Sequence, residues 1–250
     1  MTGRAVLVTG ASRGIGRAIA TAFAEGGDRV AIHHRDSAAL AEQLRDSLPG
    51  DGHVVVRADL AAPDEVRAMV DGAADRLGGL HVLVNNAGVF TGHDILETDY
   101  EQWQRQWRRT VDTNLLGPAN ACWCAVRHLR EAGGGRIINV SSRGAFRGEP
   151  GAPAYGASKA GLNALGQSLA VALAPYGIAV ATVAPGFVET DMTNEHLKAE
   201  RGAQIRAQSP FGRVARPEEI AGAVHWLASP AAEWASGTVV DLNGASYLRT

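Results

Sequence analysis

Short β-branched and aliphatic runs alternate with longer amphipathic stretches along this chain. The runs at 5–8, 30–33, 53–57, 82–85, 136–140, 178–183 and 238–242 predict seven strands. Between them, apolar residues recur with helical period, predicting helices over about 14–26, 37–48, 63–77, 99–131, 154–174 and 217–228. Strands that alternate with helices pair in parallel through right-handed crossovers, with helices on both faces of one sheet. The strand runs are apolar throughout, as burial on both faces requires. The expected architecture is therefore α/β: a doubly wound parallel sheet of about seven strands.

Glycine clusters at 50–52, 78–79 and 133–135 punctuate the ends of helices ahead of strands, and none is long enough to separate domains. One domain over 1–250 is expected. The rhythm breaks at about 186–216, a connection long enough to read as a substrate lid. Composition agrees with a folded protein: 46% of residues are hydrophobic and 20% charged. Lys and Arg number 24 against 26 Asp and Glu, a formal charge of −2 that gives no pull toward nucleic acid or an anionic membrane. No signal-peptide core is found, nor a run of the roughly eighteen apolar residues that a membrane helix needs. The two cysteines, Cys122 and Cys124, suit a reducing compartment, and a cytoplasmic location is expected.

The first strand runs into Thr9-Gly10-Ala11-Ser12-Arg13-Gly14-Ile15-Gly16, which opens the first helix. Glycines there let the backbone turn sharply, approach a pyrophosphate and pack the helix on the sheet. The helix N-terminus then offers N–H groups to that phosphate. Asn85-Asn86-Ala87-Gly88 closes the fourth strand, at the end of the sheet where open parallel folds bind ligands. Ser142 follows the fifth strand. Tyr155 and Lys159 lie four apart on the next helix, so their side chains share a face. Taken alone, a Tyr and a Lys at that spacing read as a surface pair.

Together these motifs resemble the short-chain dehydrogenase/reductase family in its compact single-domain branch, and within it the 3-oxoacyl-acyl-carrier-protein reductase-like group. The resemblance covers essentially the whole chain and takes in Asp59-Leu60, Asn114, Pro185-Gly186 and the strand end at 241–244. It implies a Rossmann-type fold and hydride transfer between a nicotinamide and a carbonyl or secondary alcohol. By this resemblance Tyr155 is the general acid in reduction and the base in oxidation. A free phenol has a pKa of about 10, so Lys159 is expected to assist with its charge while binding the nicotinamide ribose together with Tyr155. Ser142 donates to the carbonyl oxygen, where negative charge grows. Asn114 holds a water that continues the proton path.

The cofactor contacts implied are Gly10, Ser12, Arg13, Gly14, Ile15 and Gly16 in the loop, and Asp59 with Leu60 at the adenine. Asn86, Ala87 and Gly88 follow on the adenosine side. Pro185, Gly186, Val188 and Thr190 complete the set near the nicotinamide amide. His34 falls where NAD-specific members place Asp, and Arg35 follows it. With Arg13 opposite, two cations face a 2′-phosphate, so NADP(H) is the preferred cofactor. Asp36 next to them keeps NAD(H) as the second candidate.

Other features have plainer readings. Cys122 and Cys124 point to different faces of a helix and the eight histidines form no His-x-x-x-His pair, so no metal site is expected. Trp103, Trp107 and Trp123 read as packing or interface residues. The stretch 160–174 is almost uncharged, which fits a helix packed on a partner, and the resemblance implies a homo-oligomer, a tetramer or a dimer. An acyl-carrier protein is a doubtful partner, because 160–176 holds no Lys or Arg, although Arg127 and Arg130 precede it. Substrate is expected among 90–96, 143–153 and 187–211. Arg143, Phe146 and Arg147 are placed to meet an anionic or aromatic group, with a solvated loop arginine as the default reading.

Three other functions fit the motifs less well. An extended-branch epimerase or dehydratase calls for a different glycine spacing, with Arg13 where its middle glycine belongs. Enoyl reductases of the family separate Tyr and Lys by six residues, whereas this chain uses three. A non-catalytic dinucleotide sensor would lack one of Ser142, Tyr155 and Lys159.

Overall fold

The computed structural model describes residues 3–190, 193 and 201–249. Seven strands, β1 Ala5–Val8, β2 Arg29–His34, β3 Val54–Arg57, β4 Val82–Asn85, β5 Gly135–Val140, β6 Ile178–Pro185 and β7 Val239–Leu242, form one sheet in the order β3-β2-β1-β4-β5-β6-β7. Every pairing is parallel. Side chains alternate across each strand, so neighbouring residues enter opposite layers. Val6, Val8, Ile32, Val84 and Val183 pack beneath α1 (Gly14–Glu25) and α9 (Pro217–Leu227), through Ile19, Phe23, Ile220 and Val224. Leu7, Leu83, Ile137 and Val180 meet α3 (Pro63–Leu77), α5 (Gly117–Glu131) and α7 (Pro153–Leu173) through Met69, Leu77, Leu129 and Leu173. Helix α2 (Ala38–Ser47) adds Ala41 and Leu44 to the first layer.

The helix expected over 99–131 is interrupted. Asp99 caps α4 (Tyr100–Val111) by accepting the Gln102 N–H at 2.7 Å, and a π turn at Asp112–Leu116 then leads into α5. A Cβ on Gly117 would lie 2.8 Å from Leu60, so the residue's small size lets α5 start against the loop after β3. Two short helices were not anticipated, α6 (Gly144–Arg147) and α8 (Arg201–Ala207). Residues 191, 192 and 194–200 of the expected lid lie outside the described residues. In the described part, Val188 bridges to Ala215 before the chain enters α9. Among the described residues, no helix is long and apolar enough to cross a membrane.

Candidate active site

The strand order reverses between β1 and β4, and the connections leaving their C-terminal ends diverge to opposite faces. A cleft of about 430 Å3 opens there. Every candidate residue except Asn114 lines it. The glycine loop contributes Gly10, Ser12, Arg13, Gly14, Ile15 and Gly16; the end of β2, His34 and Arg35; the end of β3, Asp59 and Leu60; and the end of β4, Asn86, Ala87 and Gly88. Ser142, Tyr155 and Lys159 stand on the far wall, and Pro185, Gly186, Val188 and Thr190 close the side.

Backbone geometry accounts for the glycines. Gly10 and Gly14 have φ of +63° and +55°, a region that L side chains rarely adopt. A Cβ on Gly16 would stand 2.2 Å from the Gly10 carbonyl oxygen and 2.5 Å from Asn86 Nδ2, so helix and loop can meet only at glycine. Asn86 fixes the loop from the other side, its Nδ2 donating to Thr9 O at 2.8 Å and Gly10 O at 3.2 Å. The N-terminus of α1 carries no side-chain cap and no acidic residue in its first turn. Its N–H groups and positive dipole end are therefore free for an anion. His34 Nδ1 is buried in the same wall with no hydrogen-bond partner among the described residues. The donor set fits the pyrophosphate and ribose of a dinucleotide.

His33 was not anticipated as part of this cradle. Its Nδ1 accepts the Gly10 N–H at 2.9 Å and its Nε2 lies 3.0 Å from Ala58 O, which sets the neutral tautomer with the proton on Nε2. Burial lowers its pKa from 6.5 to about 4. The unfolded chain therefore binds a proton that the folded chain refuses, so stability falls as pH drops from 6.5 toward 4. At pH 4 the loss expected from this residue is on the order of 3 kcal/mol. Urea unfolding from pH 7 to 5 should show the fall, and His33→Asn should flatten it; an equal slope in the variant would locate the effect elsewhere.

At the adenosine end, Arg35 Nε donates to Asp36 Oδ2 at 2.6 Å, and both side chains are exposed. An exposed pair of this kind is weak, so either partner is available to a ligand. Asp59 Oδ1 accepts the Ala61 N–H at 3.0 Å, which shapes the turn beyond β3. Thr190 faces Gly14 across the cleft, its Cγ2 at 3.3 Å from where a Gly14 Cβ would be.

On the far wall, Ser142 follows β5, and its Oγ accepts the Gly144 N–H at 3.0 Å. Tyr155 and Lys159 project from the first turns of α7. Burial pushes the Tyr155 phenol up to about 12; Ser142 opposes that rise, and the Glu149 carboxylate adds to it. Lys159 is buried, donates to Val140 O at 2.9 Å and lies 5.7 Å from the centre of the Tyr155 ring. Burial brings its ammonium down from 10.5 to about 8. Phe90 packs edge-on against Tyr155 at 5.0 Å between ring centres.

Asn114 stands behind this wall, fully buried in the π turn. Its Oδ1 accepts the Val89 N–H at 2.8 Å and its Nδ2 donates to Val89 O at 2.9 Å. The side chain is therefore occupied in bracing the loop after β4. Gly88 in that loop leaves room for both neighbours, since a Cβ there would meet Asn114 Oδ1 at 3.3 Å and Lys159 Nζ at 3.5 Å. Arg143 corrects the sequence reading: it is only 4% exposed and is no solvated loop arginine. Cys122 is a buried thiol that burial raises to about 12.

A doubly wound sheet with an uncapped glycine loop facing a Ser–Tyr–Lys set defines a dinucleotide-binding oxidoreductase. A family model described as Enoyl-(Acyl carrier protein) reductase matches residues 10–244. The chain is 39% identical over 247 residues to the 3-oxoacyl-[acyl-carrier-protein] reductase FabG of Staphylococcus aureus, covering 98% of each chain. It is 38% identical over 248 residues to the FabG of Vibrio cholerae, covering 99% of each. Among solved structures, a short chain dehydrogenase from Burkholderia cenocepacia in complex with NADP superposes with a TM-score of 0.87 at 33% identity, covering 98% of both chains. A dehydrogenase/reductase from Sinorhizobium meliloti gives 0.89 at 32%, covering 99% of this chain and 96% of that one. The chain belongs to the short-chain dehydrogenase/reductase family and is an NAD(P)-dependent oxidoreductase.

Proposed function

We propose that this enzyme is an NADP(H)-dependent carbonyl reductase, working also in reverse as an alcohol dehydrogenase, with Ser142, Tyr155 and Lys159 as its catalytic residues. The observation that carries this reading is that Ser142, Tyr155 and Lys159 share one wall of the cleft that the glycine loop opens, with the Lys159 ammonium 5.7 Å from the centre of the Tyr155 ring. The bound nicotinamide supplies or accepts the hydride. Tyr155 gives its proton to the carbonyl oxygen, and Ser142 donates a hydrogen bond to that oxygen as charge develops on it. A phenol held near 12 keeps its proton at neutral pH, which suits the reductive direction. Lys159 steadies the phenolate left behind and holds the ribose. Asn114 keeps the loop after β4 in place and holds a water that continues the proton path from Lys159.

The separation of Tyr155 and Lys159 by three residues favours carbonyl reduction over reduction of an enoyl double bond. A carrier-bound thioester is not the favoured substrate, although the relatives' names include one. Helix α7 offers no basic residue beyond Lys159, and on α5 Arg127 pairs with Asp71 while Arg130 stacks on Tyr176 at 4.4 Å. A homo-oligomer, tetramer or dimer, in the cytoplasm is expected, with Trp123 on α5 and Val171 on α7 as exposed apolar contacts.

The preference for NADP(H) rests on Arg35 and Arg13 at the cleft wall. Arg offers a planar fork suited to a 2′-phosphate, and loss of one such charged contact weakens binding by about 1.5–3 kcal/mol. Arg35→Ala should therefore lower kcat/KM for NADPH by that amount and leave NADH much less affected. The second reading, a preference for NAD(H), has Asp36 in its favour, since a carboxylate there accepts from a ribose 2′-hydroxyl. A wild type that prefers NADH would decide for it.

A further inference from the structure

Arg143 lines the cleft, and the proposed chemistry does not account for its surroundings. It follows Ser142 directly, and its backbone N–H donates to Pro185 O at 2.9 Å, which locks it at the mouth of the reaction site. Its guanidinium donates from Nη1 to Ser246 Oγ at 2.5 Å and from Nη2 to Gln208 Oε1 at 2.6 Å, and it lies 4.9 Å over the centre of the Phe187 ring. All three partners are neutral, and among the described residues Arg143 has no ion-pair partner. Glu149 acts on it through space without pairing, and the charge of Arg147 opposes its own.

A guanidinium has five N–H donors, and two of the five are engaged here. A buried cation that has given up its water without gaining a counter-ion is an unfavourable arrangement in a fold, and a bound anion relieves it. Arg143 also forms part of the wall of two spaces, the main cleft and an adjoining cavity of about 240 Å3 lined by Phe187, Ile205, Phe211 and Leu242 together with the Arg213–Glu219 ion pair. The first space brings the reacting carbonyl to Ser142 and Tyr155. The second offers apolar room beside the cation.

We propose that Arg143 receives an anionic group of the substrate, which makes free oxo carboxylic acids the substrate class of this site. The proposal rests on the carbonyl-reductase reading above and deepens it. The carboxylate docks in the open fork of Arg143 while the carbonyl of the same molecule meets Ser142 and Tyr155. Arg suits this task because its planar donors match a carboxylate in two parallel hydrogen bonds. The competing role for Arg143 is a purely structural tie between Gln208 and Ser246.

The test compares 3-oxobutanoate and 4-oxopentanoate with their methyl esters at one ionic strength, with NADPH as reductant. The wild type should favour the acids. Arg143→Gln should reduce kcat/KM for the acids by roughly 15- to 150-fold more than for the esters, the range for one charged hydrogen bond. Arg143→Lys, which keeps the charge and loses the fork, should recover part of that difference and stands in if the Gln variant does not fold. A wild type that prefers the esters, or an Arg143 variant that lowers acid and ester equally, would overturn the proposal in favour of the structural tie. Calorimetry with malonate and succinate on the cofactor-free protein reads the same site without turnover. If no carbonyl compound is reduced, the reductase reading fails. The anion site then stands if Arg143→Gln removes the binding heat and falls if the heat is unchanged or absent.

Discussion

Tyr155→Phe is expected to lower turnover by about 10²–10⁴-fold, the range for removing a positioned proton donor. The substitution deletes only a hydroxyl, so the ring keeps its contact with Phe90 and cofactor affinity should change little. Steady-state kinetics beside fluorescence titration with NADPH separate the two quantities. A variant that turns over like the wild type would mean that the proton comes from another group. Ser142 gives an internal control: Ser142→Ala removes a donor to the same oxygen and leaves the phenol, so its defect should be smaller.

Lys159 is expected to respond differently, because it carries two tasks and a burial penalty. Lys159→Met should weaken cofactor binding and slow the reaction together. The same change should stabilise the fold at pH 7. The ammonium titrates near 10.5 when unfolded and about 8 when folded, so burying its charge disfavours folding at every pH below 8. The penalty is on the order of 3 kcal/mol and fades as pH rises from about 8 to 10.5. Activity should show the opposite trend. Below pH 8 the cation is present, and above it kcat/KM for NADPH should fall by about tenfold per pH unit, while Tyr155 near 12 stays protonated. A break near pH 8 that survives in Lys159→Met would assign it to another group. A variant less stable than the wild type would show that the contact from Nζ to Val140 O outweighs the desolvation.

The parts of this molecule that could be read from sequence are those whose physical cause is local. Apolar runs of four to six residues placed the strands because a sheet buried on both faces is built mostly from apolar positions, as in Ala5–Val8. The glycine loop was legible because positive φ at Gly10 and Gly14 excludes most other residues. Tyr155 and Lys159 were legible because helical spacing alone puts them on one face. The π turn at Asp112–Leu116 was not, since the apolar pattern runs through it unbroken. The burial of Arg143 is not legible in the sequence, because Gln208 and Ser246, which enclose it, are 65 and 103 residues away in the chain. His33 escaped notice for the same reason: it reads as a strand residue until Gly10 and Ala58 are brought to its two nitrogens.

In the proposed reaction, hydride moves between NADP(H) and a carbonyl held by Ser142 and Tyr155. Its most direct test follows the absorbance of NADPH when purified enzyme is mixed with a panel of ketones, β-keto esters, quinones and oxo acids, with the alcohol product quantified alongside. At least one carbonyl compound should be reduced mole for mole with NADPH consumed, and Tyr155→Phe should abolish nearly all of that consumption while still binding the cofactor. Saturable NADPH binding with no consumption on any member of the panel would contradict it and would mark the protein as a dinucleotide sensor.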